Sequence, residues 1–287
     1  MPQFEVPDID FSRYSNRQLA GPPIAVILLA LVVIGAWWGM TGAPVAYGTE
    51  FTGGTELRVV VPAGTDDPTE PFTAPVESVQ PVRADSNSYI VTFGPDVNAT
   101  LQKNLAQQEG YEVPLASSTS ATFGENSQQM ALLGVVVAFV GMSVVVFALF
   151  RTFVPSIAVV ASAFGDLVVP IALMNLFGIQ LSLGTVAALL MLIGYSVDSD
   201  ILLNNHVLRR SGDFYESVHR AMRTGVTMTT TSLAAMTVMT IVSWLFAIEL
   251  LTSIGIVLVF GLTTDLMNTY MLNLSLLRWY KFEGVAR

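Results

Sequence analysis

The chain of 287 residues has no cysteine, so disulfides, thiol nucleophiles and cysteine metal sites are excluded. Histidine occurs only at His206 and His219, which argues against a histidine metal cluster. Lysine is equally scarce, with only Lys103 and Lys281. Charged residues make up 12% of the chain, where a soluble domain carries about a quarter. Hydrophobic residues make up 52%, and the mean hydropathy is +0.59. Lipid rather than water is the solvent this composition suits.

A bilayer-crossing helix needs about 20 mostly apolar residues. Six runs qualify, at 22–40, 130–150, 156–177, 185–203, 226–246 and 250–272. Residues 1–21 are polar, and the first apolar run is long enough to span, which reads as an anchor and not a cleaved leader. Residues 41–129 form the one hydrophilic stretch large enough for a water-exposed domain, while 204–225 and 273–287 read as a loop and a tail. Lysine and arginine set orientation. With six spans, Arg13, Arg17, Arg151, Arg209, Arg210, Arg220, Arg223, Arg278, Lys281 and Arg287 share one side. The other holds only Arg58, Arg83 and Lys103. Both termini are therefore expected in the cytoplasm and 41–129 outside. The outer side carries twelve acids against three bases, a surface that repels nucleic acid and anionic lipid headgroups.

Within the outer stretch, 55–61 and 88–93 have strand composition, 77–83 and 117–123 are candidate strands, and 96–108 is a helix with Asp96 as its expected cap. The reading is a small α+β domain. Asn98-Ala99-Thr100 is a glycosylation sequon on the outward side. The glycines of Gly48-Thr49-Glu50-Phe51-Thr52-Gly53-Gly54-Thr55 suit a turn, because they reach dihedrals that other residues resist.

Four acids fall inside the expected spans: Asp166, Asp198, Asp200 and Asp265. An ionised group there costs about 2.5–3.5 kcal/mol or more unless it faces protein or water, so an ion path is the functional reading. The bland reading is a protonated carboxyl bonding a neighbouring helix. At about 100° per residue, Ser196, Asp200 and Asn204 share one face, while Asp198 and Asn205 lie nearly opposite. The two aspartates therefore cannot line one narrow path. Thr227, Thr230 and Thr231 follow Arg223 and Thr224 at the start of the fifth run, and Gly261, Thr264, Asp265 and Asn268 recur along the sixth. Such residues commonly glue membrane helices together. Arg223 either snorkels to the inner interface or pairs with an aspartate.

These residues resemble the SecF family of protein-export membrane proteins. Phe51-Thr52-Gly53-Gly54-Thr55 resembles the family's stretch leading into its outer domain. Ile193-Gly194-Tyr195-Ser196 resembles its fourth-span motif, Arg223-Thr224 its fifth-span pair, and Asp166 after Gly165 its third-span acid. The resemblance covers nearly the whole chain. It implies an α-helical membrane fold of six transmembrane helices, half of a resistance-nodulation-division-type transporter, with one ferredoxin-like α+β extracytoplasmic domain. It implies a SecD-like partner, a SecY-type channel and exported polypeptides as clients, and use of the membrane ion gradient. It implies no enzyme activity and no cofactor. The acidic, lysine-poor balance fits an archaeal member from salty surroundings. One departure stands out: bacterial members carry Asn-Asp where this chain has Asp198 and Ser199. Proton and sodium both stay open as the coupling ion.

Two further readings stay open: a solute or lipid transporter subunit of the same fold, and a passive scaffold of the translocon. An intramembrane aspartyl protease fits poorly. Asp166 lacks the glycine two residues before Gly165, and Tyr195 is followed by serine.

Overall fold

A computed structural model describes residues 11–62, 67–82, 87–209, 213–246 and 248–283. Arg83, Arg210 and Arg287 of the orientation count lie outside the described residues. Six helical segments are long and apolar enough to cross a membrane.

The first, α1 (Asn16–Thr41), starts six residues before the expected 22. Ser15 and Gln18 cap each other reciprocally, so the helix begins in polar sequence and carries Pro22 and Pro23 inside it. A single turn, α2 (Thr49–Thr52), then leads into β1 (Gly54–Val60), β2 (Val76–Pro81), β3 (Ser88–Phe93), α3 (Ala99–Gln108) and β4 (Glu112–Thr119). Asn98, not Asp96, caps α3, its side chain accepting from Leu101 N–H at 3.1 Å. The closing strand lies five residues earlier than the expected 117, because Ser120 caps the next helix.

The sheet order is β2-β3-β1-β4, with each neighbouring pair antiparallel. That is the ferredoxin-like order, with α3 crossing from β3 to β4. The β1–β2 crossover carries no helix among its described residues. Alternation along β1 puts Leu57 and Val59 inward against Val91 and Phe93, all with no exposed surface. Each such side chain contributes about 1.5–3 kcal/mol by leaving water. Beside this core, burial and the nearby Glu70, Asp67 and Glu109 raise the Tyr111 hydroxyl's pKa, while its O–H donates to Asp67 O at 2.9 Å.

The remaining helices are α4 (Ala121–Phe150), α5 (Phe153–Phe177), α6 (Leu183–Arg209), α7 (Phe214–Leu245), α8 (Glu249–Met267) and α9 (Leu274–Phe282), with a π-helical turn Asn268–Asn273 between the last two. The expected loop 204–225 is mostly helix instead: α6 runs on through 209, and Asp213 caps α7 by accepting from Tyr215 and Glu216 N–H. The sixth span likewise passes 272, since α8, the π turn and α9 form one rod, Glu249–Phe282. α5 is the most buried span and α4 and α7 the least, so α4 and α7 present broad apolar faces outward.

Candidate functional site

The π turn decides what meets at the centre of the spans. Its wider winding brings residues five apart onto one face. Asn268 and Asn273, five apart, both reach carboxylates as a result, and Thr269 lies between them. The carboxylates come from three helices: Asp166 on α5, Asp200 on α6 and Asp265 on α8, each at most 1% exposed.

Asp166 accepts from Ser196 Oγ–H at 2.5 Å and from Asn268 Nδ2–H at 2.7 Å. Asp200 Oδ1 accepts from Thr269 Oγ1–H at 2.8 Å and Asn273 Nδ2–H at 2.7 Å. Asp265 Oδ1 lies 2.8 Å from Ser199 Oγ and 3.2 Å from Thr269 Oγ1. The two hydroxyls also lie 3.1 Å from each other, and Ser199 lies 2.8 Å from Ser196 O. Five oxygen–oxygen contacts thus meet at two hydroxyls, which own two protons. The other three set lone pair against lone pair unless the cluster carries added positive charge. No lysine, arginine or histidine among the described residues bonds to these carboxylates.

Apolar packing closes the cluster at both ends. Toward the sheet domain lie Leu189 and Ile193 of α6 with Leu258 of α8. Toward the other end lie Leu203, Val207, Leu274 and Leu277.

The candidate residues separate cleanly. Asp166, Asp200, Asp265 and Ser196 come together. Asp198 is exposed on the opposite face of α6, as the helical wheel required, and Gly194 and Tyr195 face outward. Arg223 is exposed and pairs with no described carboxylate. Ser199, Thr269 and Asn273 were missed. Thr269 and Asn273 follow Asp265 at four-residue spacing, so they share its face of the sixth span.

The glycine stretch forms a joint rather than a simple turn. Phe51 is 2% exposed and belongs to the apolar cluster that includes Leu181, Val186 and Leu189, with the Tyr47 ring edge-on to it at 6.4 Å. Gly48 N–H donates to Leu181 O at 2.9 Å, and Leu181 N–H to Ala46 O at 2.7 Å. Glu50 Oε2 accepts from Leu183 N–H at 2.6 Å, capping α6. Gly53 and Gly54 have φ of 77° and 141°, and a Cβ on Gly53 would stand 2.7 Å from Ala121 Cα. Thr52 Oγ1 bonds locally to Gly53 O, whereas Thr55 Oγ1 crosses to Val97 O at 3.1 Å. The sheet domain is thereby fastened to the start of the helix that carries Asp200.

The family described as protein export membrane protein SecD/SecF, C-terminal, matches residues 99–283. Protein-export membrane protein SecF of Haloferax volcanii is 64% identical over 288 residues, covering the whole of both chains. The protein of the same description from Haloquadratum walsbyi is 60% identical, again over the whole of both. A crystal structure of SecDF, a translocon-associated membrane protein from Thermus thermophilus, superposes with TM-score 0.73 at 18% identity. It covers 96% of this chain, which spans 40% of that one, so the fold is that of one part of a SecDF chain. With six spans, a ferredoxin-like sheet and full-length identity of this order, the chain belongs to the SecF family of protein-export membrane proteins.

Proposed function

We propose that this protein-export subunit acts with a SecD-like subunit and a SecY-type channel, drawing on the membrane ion gradient to promote translocation of exported polypeptides. The observation that carries this reading is the carboxylate cluster. Three buried acids on three spans share hydroxyl bridges and have no basic partner among the described residues. Neutral packing would be cheaper, so the acids fit a site whose charge changes during work. The outer domain then lies outside the cell and both termini inside, as the ten-to-three split of basic residues favours. The exposed faces of α4 and α7 offer surface to lipid and to the partner subunit.

The test is pulse-chase export of a secreted reporter in cells depleted of the protein and complemented with wild type or Asp200→Asn. Precursor should accumulate with Asp200→Asn while the variant still inserts and co-purifies with the SecD-like subunit. Normal export with Asp200→Asn and with Asp265→Asn would sink ion coupling and leave a scaffold.

A further inference from the structure

We infer that Asn98 of the sheet domain is a modification site whose Nδ2 carries an N-linked glycan. The inference rests on the outward placement of that domain proposed above. Two triplets of the form Asn-x-Ser/Thr without an intervening proline occur in the sequence, Asn98-Ala99-Thr100 and Asn273-Leu274-Ser275. The fold separates them. Asn273 has no exposed surface and Ser275 is 3% exposed, and both lie within the sixth span. Asn98 and Thr100 are both exposed.

Local structure holds the acceptor out. Residues 94–97 form a turn, with Val97 N–H donating to Gly94 O at 3.3 Å and Pro95 in its second position. Val97 packs on the sheet core, and its carbonyl accepts from the buried Thr55 hydroxyl at 3.1 Å. Asn98 follows in extended backbone, φ -74° and ψ 102°, and caps α3. Its Oδ1 turns toward the helix and accepts from Leu101 N–H at 3.1 Å. Nδ2, on the other arm of the planar amide, has no hydrogen-bond partner among the described residues. Capping alone accounts for an asparagine here, though aspartate or serine would serve as well. It does not account for Thr100. Threonine is a mediocre helix former, and this hydroxyl bonds to no described residue.

The chemistry leaves the fold intact. The co-substrate is a lipid-linked oligosaccharide, joined through its C1 to a phosphate oxygen. The Nδ2–C1 bond forms as the C1–O bond breaks. The phosphate oxygen keeps the bonding pair, and Nδ2 gives up one proton to a base on the transferase. The amide keeps Oδ1 as an acceptor, so the cap on α3 survives the addition. The bulky, water-seeking glycan then stands on a surface already open to solvent.

The experiment is intact-mass spectrometry of the full-length protein purified from membranes of the cells that natively make it, with the peptide holding residue 98 mapped after proteolysis. Wild type should exceed its sequence mass by whole sugar units, all of them on Asn98 and none on Asn273. Asn98→Asp and Thr100→Ala should each lose the whole addition, and Thr100→Ser should keep it. Aspartate caps as well as asparagine, and Thr100 takes no part in the cap, so the loss is not one of folding. Wild type at its sequence mass would overturn the site, as would an addition that survives both Asn98→Asp and Thr100→Ala. Lys103→Cys, on the same helix, separates the site from the orientation it rests on. If an impermeant maleimide labels it in intact cells and no glycan is found, the domain is outside and the site falls. If it is not labelled and no glycan is found, the outward placement falls and the site with it.

Discussion

Gly124→Ala reports on the joint between the outer domain and the spans, and a second glycine on the same helix supplies its control. Gly124 is buried one turn into α4. A Cβ there would lie 2.7 Å from Phe51 O and 2.8 Å from Gly53 N, both backbone atoms that cannot rotate aside. The helix must back away by a few tenths of an ångström, pulling on the Phe51 plug. Overpacking of this kind costs about 1–3 kcal/mol. Against it stands the ordinary gain from glycine to alanine in a helix, up to about 1 kcal/mol. The net is a loss of about 1–2 kcal/mol, or a fall in Tm of about 3–6 °C. At Gly134, further along α4, an added methyl would meet no atom within 4 Å, so Gly134→Ala should hold Tm or raise it slightly. The assay is thermal unfolding of both variants in the same detergent, scored by loss of helical circular dichroism. If Gly124→Ala and Gly134→Ala shift Tm alike, the close approach of α4 to the glycine stretch is not a packing constraint, and the joint is misread.

Phe51→Ala should cost about 3–5 kcal/mol by opening a cavity in its buried apolar cluster, against under about 0.5 kcal/mol for Phe123→Ala, which is 61% exposed; unfolding curves of the two separate them. Thr269→Val leaves Asp200 Oδ1 and Asp265 Oδ1 without their shared hydroxyl and should destabilise by about 1–3 kcal/mol, while Thr269→Ser restores stability; equal behaviour of the pair would remove Thr269 from the network. The Thr69 hydroxyl and N–H donate to Asp67 and hold its pKa below the ordinary aspartate range, so its contribution is full above the unfolded-state value and is lost as pH falls through the folded one. Acid unfolding of the outer domain, followed by tyrosine fluorescence, should therefore be shallower in Asp67→Asn. Because the chain has no cysteine, Lys103→Cys should be labelled in intact cells by an impermeant maleimide; labelling only after lysis would invert the proposed orientation.

Composition and hydropathy alone point to lipid as the solvent and to six spans, and helical spacing sets the two faces of the fourth. Apolar runs of about 20 residues leave few other folds, because unpaired backbone groups are too costly in lipid. The separation of Asp198 from Asp200 was also local, since two residues along a helix turn a side chain through about 200°. Element ends were less legible. Ser15, Asn98, Ser120 and Asp213 cap helices in polar sequence that hydropathy does not register, so α1, α4 and α7 overrun their apolar runs. Only the tertiary structure decided which faces meet. Asp166 finds Ser196 across 30 positions and Thr269 finds Asp200 across 69, pairings set by how α5, α6 and α8 pack and not by any period within them. The π turn at Asn268–Asn273 lets Asn268 reach Asp166 while Asn273, five residues on, reaches Asp200. The glycines of the joint follow the same rule: their dihedrals were legible in the sequence, but the backbone of Phe51 pressed against Gly124 exists only once the outer domain has docked on α4.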